Sequence, residues 1–255
     1  MGTAYPMIVA LRNDAGEGTP VVYVPGIDGS GDMLLGTGER LARRLRLVRL
    51  CYLPEEADTY ARLARSIDTL LDGMGLERVV VLSESFGGAV ALQLALDHPA
   101  RVAALAIVNG FAYHPWRARL WLSRLGSPLL PRPLFRLCRR TVSPGTLFGP
   151  RISQELREAF LATGGIGLDA AYRARLRMIL RLDLRLRLAG LEAPLALYAS
   201  AADRIVPAVR AANEIRTRVP HATLEVLPRA GHLALPLPDE PWPERMAELA
   251  ARGGL

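Results

Sequence analysis

Unbroken apolar runs mark the predicted strands of this chain, and apolar residues spaced three or four apart mark its predicted helices. Residues 79–82 are apolar at every position, which is typical of a strand buried on both faces of a parallel sheet. The next apolar segment, 89–96, is rich in alanine and leucine and predicts a helix. Further strands are predicted at 7–11, 21–24, 47–53, 102–108, 195–199 and 223–227, and further helices at 60–71, 209–219 and 242–250. Alternating strands and helices indicate the α/β class.

Local signals set some of the boundaries of these elements. Polar and glycine residues at 13–18 predict a turn between the first two strands. Asp58 is a candidate N-cap for the helix that covers 60–71. After the strand at 102–108 the alternation stops, and irregular helical signals continue to about residue 191.

The passage from strand 79–82 into helix 89–96 carries the main chemical signal. A sharp turn between a buried strand and a helix needs small residues where the two approach, and Ser83 and Gly87 lie two positions either side of Ser85. This segment, Ser-Glu-Ser-Phe-Gly, resembles the nucleophile elbow of the α/β-hydrolase family, with Ser83 in place of the first glycine. The alternative is an ordinary serine in a strand-to-helix loop. Glu84 is expected among the substrate-binding residues, and its role is open: its carboxylate beside the nucleophile tunes the site, or it packs under the cap.

A glycine-rich loop comes after the second predicted strand, at Pro25 to Gly31. A phosphate-binding loop needs Lys and Ser or Thr after its last glycine, and a dinucleotide fingerprint needs a glycine where Leu34 stands, so both are excluded. An oxyanion loop and a plain turn are left. The hydrolase resemblance implies the former, with the backbone N–H groups of Ile27 and Phe86 as oxyanion donors and with Gly26 and Asp28 near the substrate.

The resemblance also implies partners for the serine. Asp203 comes after the strand at 195–199, and His232 comes after the strand at 223–227 within a Gly-His pair. The order Ser, Asp, His is the α/β-hydrolase order. Asn109 stands where the family sometimes carries the acid, which favours Asp203. His98 is expected to be a structural residue at a helix end, and His221 a surface residue.

The resemblance implies the α/β-hydrolase fold, with a mostly parallel central sheet, helices on both faces and a helical cap insertion. The expected core covers 1–111 and 192–255, and the expected cap covers 112–191, including a helix at 169–187. Trp116 and Trp121 at the start of the cap are expected to contact the substrate.

Charge is distributed unevenly along the 255 residues, whose formal net charge is +7. Residues 112–187 hold 15 arginines and four acidic residues, a local balance of +11. A basic cap suggests an acidic acyl carrier protein or an anionic membrane surface as partner. Nucleic acid is not expected, because no nucleic-acid-binding motif accompanies the charge.

Other sequence features limit the remaining function classes. Cys51 and Cys138 lack metal-ligand spacing, and we expect neither a metal nor another cofactor. Without a visible signal peptide or a membrane-spanning run, the expected location is the cytoplasm. The expected activity is hydrolysis of a carboxylic ester or thioester with an apolar acyl group. The alternatives are a lipid acyltransferase, an acyl-carrier-protein methyl ester esterase, and a binding protein without activity. A serine at the elbow excludes a haloalkane dehalogenase, whose family carries an acid there.

Overall fold

The computed structural model describes residues 7–53, 59–126, 132–163 and 169–255. Within them, seven strands form one sheet in the order β1-β3-β2-β4-β5-β6-β7. β1 pairs with β3 in the antiparallel sense, and the other neighbours are parallel. The mostly parallel sheet predicted from the apolar runs is therefore confirmed. The strands are β1 (Val9–Ala15), β2 (Pro20–Val24), β3 (Arg46–Tyr52), β4 (Val79–Glu84), β5 (Val102–Val108), β6 (Leu195–Ser200) and β7 (Thr223–Leu227).

The strands in the middle of the sheet explain the uniform apolar pattern. Every residue of β4, β5 and β6 is buried, whereas in the edge strand β1 only Val9 is buried. A strand covered on both faces has no position that favours a polar side chain. These central strands therefore carry the site, because their carboxyl ends meet at one edge of the sheet.

Helices cover both faces of the sheet, as predicted. Leu41 and Trp242 pack on one face, and Leu63, Val90 and Ile215 pack on the other. The helices outside the β5–β6 connection are α1 (Gly36–Ala42), α2 (Tyr60–Gly73), α3 (Phe86–Asp97), α9 (Ala208–Arg218) and α10 (Trp242–Arg252).

Near the N-terminus, one predicted boundary is wrong and another lies outside the described residues. The turn predicted at 13–18 is wrong in its first half: residues 13–15 belong to β1 and pair with 47–49 of β3 beyond a register shift. Asp14 is also held there by Arg46, whose Nη2 lies 2.8 Å from Asp14 Oδ2. The predicted N-cap Asp58 lies outside the described residues. Its neighbour Thr59 caps α2 by accepting a hydrogen bond from Arg62 N–H at 3.2 Å.

The connection between β5 and β6 is helical wherever the structure describes it. The helix predicted at 169–187 is shorter than expected: Asp169 caps it by accepting a hydrogen bond from Tyr172 N–H at 2.8 Å, and it ends at Arg181. The sequence also predicts a helix break at Gly164 and Gly165 and a proline-broken segment at 128–133. Both glycines and residues 128–131 lie outside the described residues. The division into core and cap stays a prediction. The helices of this connection are α4 (Arg117–Gly126), α5 (Arg132–Thr141), α6 (Ser143–Phe148), α7 (Gln154–Ala162) and α8 (Ala170–Arg181).

Candidate active site

Ser85 lies at a strained turn between β4 and α3. Its backbone has φ 56° and ψ −120°, a conformation that residues other than glycine rarely adopt. A side chain at Gly87 would overlap the carbonyl oxygens of Val24 and Pro25, which explains the small residue there. Ser83 is accommodated because its hydroxyl donates to the Ala106 carbonyl at 3.2 Å. The turn has the geometry of a nucleophile elbow, with serine replacing the first glycine.

The three predicted triad residues meet at the carboxyl ends of three strands. Ser85 Oγ lies 2.9 Å from His232 Nε2, and His232 Nδ1 lies 2.7 Å from Asp203 Oδ2. Asp203 is fixed by its other oxygen, Oδ1, which accepts hydrogen bonds from the N–H groups of Ile205 at 2.7 Å and Val206 at 3.0 Å. The resulting chain can move a proton from the serine hydroxyl to the imidazole.

The charges around His232 support this direction of transfer. Burial lowers the pKa of His232, but the attraction and the hydrogen bond of Asp203 act in the opposite sense and leave the pKa raised. Glu84 adds a smaller effect of the same sign. A protonated imidazole is therefore stabilised in place, as a general base requires.

Close packing against α6 explains the glycine that precedes His232. A side chain at Gly231 would lie 2.5 Å from the Leu147 carbonyl oxygen, so the backbone at the end of α6 approaches the His232 loop closely. Gly231 N–H donates to Phe148 O at 3.0 Å, and Leu233 N–H donates to Leu147 O at 2.8 Å. These bonds hold the imidazole-bearing loop against α6.

The two predicted oxyanion donors lie on the chain next to the serine site. Among the described residues, no hydrogen bond uses the N–H of Ile27 or that of Phe86. Phe86 comes directly after Ser85 at the start of α3, where the first N–H groups of a helix have no partner within it. Ile27 lines the same cavity as Ser85. Both N–H groups are thus available to a substrate oxygen.

Gly26 and Asp28 shape the loop around Ile27. A Cβ on Gly26 would lie 3.8 Å from the Ser85 Cβ, so the loop passes directly beside the serine. The Asp28 carboxylate accepts a 2.9 Å hydrogen bond from Ser30 N–H and another from the Ser30 hydroxyl. Neither Gly26 nor Asp28 is among the residues that line the cavity. Asp28 therefore stabilises the turn of the loop.

Glu84 lies beneath the site and not in the cavity. Its side chain is buried, and Oε1 accepts hydrogen bonds from the N–H groups of Ala234 at 3.2 Å and Leu235 at 3.5 Å. Burial raises the pKa of Glu84 to about 8, against the smaller opposing effect of His232. The carboxyl group thus holds the segment after His232, which the sequence did not indicate, and Glu84 is not among the residues that line the cavity.

A cavity of about 240 Å³ opens above Ser85 and His232. Helices α4 and α8 cover it, and most of its lining is apolar. Trp116 and Trp121, the predicted substrate contacts, do not line it: arginine side chains stack over both rings, and Trp121 is 47% exposed. The lining residues are Ile27, Ser85, Phe111, His114, Arg119, Leu120, Ser123, Leu147, Tyr172, Leu176, Ile179, Ile205, Val206 and His232.

A sequence profile of the alpha/beta hydrolase family matches residues 17–251. The chain belongs to this family. It is therefore a hydrolase with the fold that the sequence predicted.

Curated relatives and solved structures agree with this assignment. The hydrolase is 27% identical over 235 residues to "Putative carbamate hydrolase RutD" of Caulobacter sp. strain K31, covering 86% of this chain and 85% of the relative. An esterase from Thermogutta terrifontis is 22% identical with a TM-score of 0.77, covering 97% of this chain and 94% of that one. The enol-lactonase from Burkholderia xenovorans LB400 is 15% identical with a TM-score of 0.79, covering 95% and 96%. At these identities the two structures show the fold alone.

Arg175 is a residue of this hydrolase that the sequence reasoning missed. It comes from α8, and its Nη1 donates to the carbonyl oxygens of Ile27 at 2.9 Å and Asp28 at 3.1 Å. The guanidinium lies 5.1 Å from the centre of the Tyr52 ring, and burial lowers its pKa. Helix α8 contains several arginines, and nothing in the local sequence distinguishes this one from its neighbours.

Asn109 ties the strand ends together. Its Oδ1 accepts from Ser200 N–H at 2.8 Å, while Nδ2 donates to the Ser200 hydroxyl at 2.9 Å and the His232 carbonyl at 2.7 Å. It has φ 51° and joins the end of β5 to the end of β6 and to the histidine loop. A polar residue just after a buried strand was the available signal.

The other two histidines have structural contacts. His98 ends α3, and its Nδ1 lies 3.1 Å from Asp68 Oδ2. His221 is exposed, with Nε2 3.2 Å from the Ala193 carbonyl. Both findings agree with the roles expected from the sequence.

A search of the described residues found no group of three or more His, Cys, Asp or Glu that could hold a metal ion. Over the same part of the chain, each helix is too short or too polar to cross a membrane.

Proposed function

We propose that this hydrolase cleaves a carboxylic ester or thioester with an apolar acyl group through an acyl-enzyme intermediate. The observation that carries the proposal is the hydrogen-bonded chain from Ser85 through His232 to Asp203, with 2.9 Å and 2.7 Å links, at the base of a mostly apolar cavity.

The proposed reaction has two halves. Ser85 Oγ attacks the substrate carbonyl carbon while His232 Nε2 takes the serine proton, and Asp203 stabilises the imidazolium. The N–H groups of Ile27 and Phe86 bind the oxygen that becomes negative. His232 then gives its proton to the leaving alcohol or thiol. Water, activated by the same histidine, attacks the acyl-enzyme and releases the acid and Ser85.

A carbamate is the second candidate substrate, favoured by the name of the Caulobacter relative. The carbonyl of a carbamate ester would be attacked by Ser85 in the same way, giving a carbamoyl-enzyme in place of an acyl-enzyme. The apolar lining favours the ester, because a bare carbamoyl group offers little surface to bury.

The alternatives from the sequence differ in the fate of the acyl group. An acyltransferase would pass it from Ser85 to an alcohol, and a binding protein would form no acyl-enzyme. An acidic acyl carrier or an anionic membrane surface stays a prediction for the basic β5–β6 connection. An acidic carrier would be supported if added salt slows the turnover of a carrier-bound ester but does not slow the turnover of a free methyl ester.

Labelling with a fluorophosphonate probe tests the proposal. We expect the wild type to be labelled and Ser85→Ala to stay unlabelled. Ser143→Ala is the matched control, because its hydroxyl donates to the Cys138 carbonyl outside the cavity, and it should be labelled normally. A folded wild type that resists the probe would refute the serine mechanism. A panel of nitrophenyl esters from acetyl to palmitoyl, together with a nitrophenyl carbamate, then ranks the substrate classes.

A further inference from the structure

One buried polar atom of the cavity wall has no partner in the protein. In the described part of the chain, five buried side-chain polar atoms lack a hydrogen bond: Tyr23 Oη, Thr37 Oγ1, Tyr60 Oη, His114 Nδ1 and Trp242 Nε1. Of these residues, His114 alone lines the cavity. A buried polar atom without a partner is unfavourable, so a group bound in the cavity that paired with it would gain binding free energy.

The His114 ring is held firmly in position. It is 4% exposed and packs edge-on against Phe111, with ring centres 5.0 Å apart at 86°. Because the catalytic mechanism uses Ser85, Asp203 and His232, it gives this second imidazole no task.

Two polar residues of α4 line the same cavity as His114. Arg119 and Ser123 are four residues apart, so they lie on one face of the helix. Arg119 is anchored by donating from Nη1 to the Arg204 carbonyl at 2.9 Å, and its other N–H groups are further donors. The neighbouring Leu120 also faces the cavity, whereas Trp121 and Leu122 are exposed.

The charges at this end of the cavity favour an acceptor group. Burial is the main cause that lowers the pKa of His114 to about 4, and His232 adds to it, so the ring is neutral near pH 7 and has one N–H donor. Arg119 is cationic, and no Asp or Glu belongs to the cavity lining in the described residues. Arg119 and Ser123 can donate hydrogen bonds, and the neutral His114 ring donates from Nδ1 in the tautomer that carries its proton there, so the three side chains are suited together to an oxygen that accepts hydrogen bonds.

We propose that His114, Arg119 and Ser123 form a specificity subsite for a second acceptor oxygen of the substrate, a carboxylate or a carbonyl located beyond the scissile ester. This rests on the proposed ester hydrolysis and narrows its substrate class. The favoured substrate has an apolar chain for the lining of the cavity and a polar oxygen that pairs with His114.

Matched esters test the subsite. We compare monomethyl adipate and methyl 5-oxohexanoate with methyl hexanoate, and 6-acetoxyhexanoate with hexyl acetate, by acid release at constant pH. The first set places the second oxygen on the acyl side, and the second set places it on the alcohol side. In at least one set, the wild type should have a kcat/KM about 10-fold higher for the ester with the second oxygen than for the plain ester. This is the effect expected of one hydrogen bond to a site that contains a charged group.

Variants then assign that preference. His114→Phe keeps an aromatic ring against Phe111 and removes both nitrogens, and it should abolish the preference, so that the ratio of kcat/KM between the acceptor ester and the plain ester falls to about 1. His114→Gln, which keeps a donor, should restore part of it and stands in if the phenylalanine variant does not fold. Arg119→Gln should weaken the preference for the carboxylate ester more than that for the keto ester.

Thr37→Val is the matched control. It removes another buried unpartnered polar atom, but outside the cavity, and should leave every ester ratio unchanged. The subsite is refuted if the wild type shows no preference in either set, or if His114→Phe keeps it. The ester-hydrolase proposal fails separately, when Ser85 is not labelled by the probe or no ester is cleaved.

Discussion

The sheet edge and the helical connection between β5 and β6 supply the two halves of the candidate site, and their sequences are informative to different degrees. At the sheet edge, each proposed catalytic residue comes shortly after a strand of the sheet, and the strands before Ser85 and Asp203 are fully buried. In the helical connection, Arg175 and His114 reach the site, while Trp116 and Trp121 do not line it. Side chains at strand ends are positioned by chain order, whereas those on covering helices are positioned by which face packs inward.

The largest expected effect tests the sheet edge. Asp203→Asn should lower kcat by about 10³–10⁴-fold, because the amide no longer stabilises the imidazolium or holds its tautomer. Steady-state kinetics on a nitrophenyl ester measures this, with unfolding curves as a check on folding. A loss below 10-fold would mean that another group supports His232.

A smaller effect tests whether α8 contributes to the reaction. Arg175→Met should lower kcat by about 10–100-fold with little change in KM, since the loop that presents the Ile27 N–H loses two hydrogen bonds to a cation. Arg175→Lys should recover part of the loss. The exposed Arg181→Met on the same helix is the control and should behave as wild type. An equal loss in both variants would point to damage to α8 in general.

The pH dependence of protein stability tests the burial of Glu84 next to the elbow serine. Glu84 has its pKa raised to about 8 in the folded protein from an ordinary value of 4.5. Below pH 4.5, Glu84 is protonated in both the folded and the unfolded chain, so its ionisation does not affect the free energy of unfolding. As the pH rises from there to about 8, the unfolded chain releases the proton and the folded one keeps it, so stability falls.

Glu84→Gln should remove this decline and keep an oxygen that accepts from Ala234 and Leu235. The difference in unfolding free energy between variant and wild type should therefore grow with pH, by at most about 1.4 kcal/mol per pH unit. Urea unfolding at several pH values measures it. Parallel pH profiles for the two proteins would mean that folding leaves the pKa of Glu84 unchanged.

The smallest effect compares two neighbours on α4. Leu120→Ala should lower kcat/KM for a long-chain ester by about 5-fold, because it removes apolar contact in the cavity. Trp121→Ala should change it by less than about 2-fold, since that ring lies on the outer surface. A larger loss in Trp121→Ala than in Leu120→Ala would support the substrate contact that the sequence led us to expect for Trp121.

Much of the fold could be predicted from local patterns. The apolar runs located β4 and β5 closely, because strands covered on both faces admit few polar residues. The ends of other elements were harder to place. Residues 13–15 carry turn-forming side chains, yet they extend β1 by pairing with β3, since a ladder supplied by a distant strand outweighs a local turn preference.

By itself, the sequence determined the class of fold and the identity of the three residues that meet at the elbow. It could do so because a strained serine turn, an acid and a Gly-His pair after successive strands share one edge of a parallel sheet. The elbow accommodates Ser83 in place of the first glycine, because the side chain is small and its hydroxyl donates to the Ala106 carbonyl.

Only the tertiary structure decided what surrounds that elbow. It put Glu84 under the histidine loop, Arg175 on the loop of Ile27, and an unpartnered His114 in the cavity wall. These contacts join residues up to 151 positions apart. They depend on how a helix is rotated and how closely a loop packs, which local spacing along the chain does not specify.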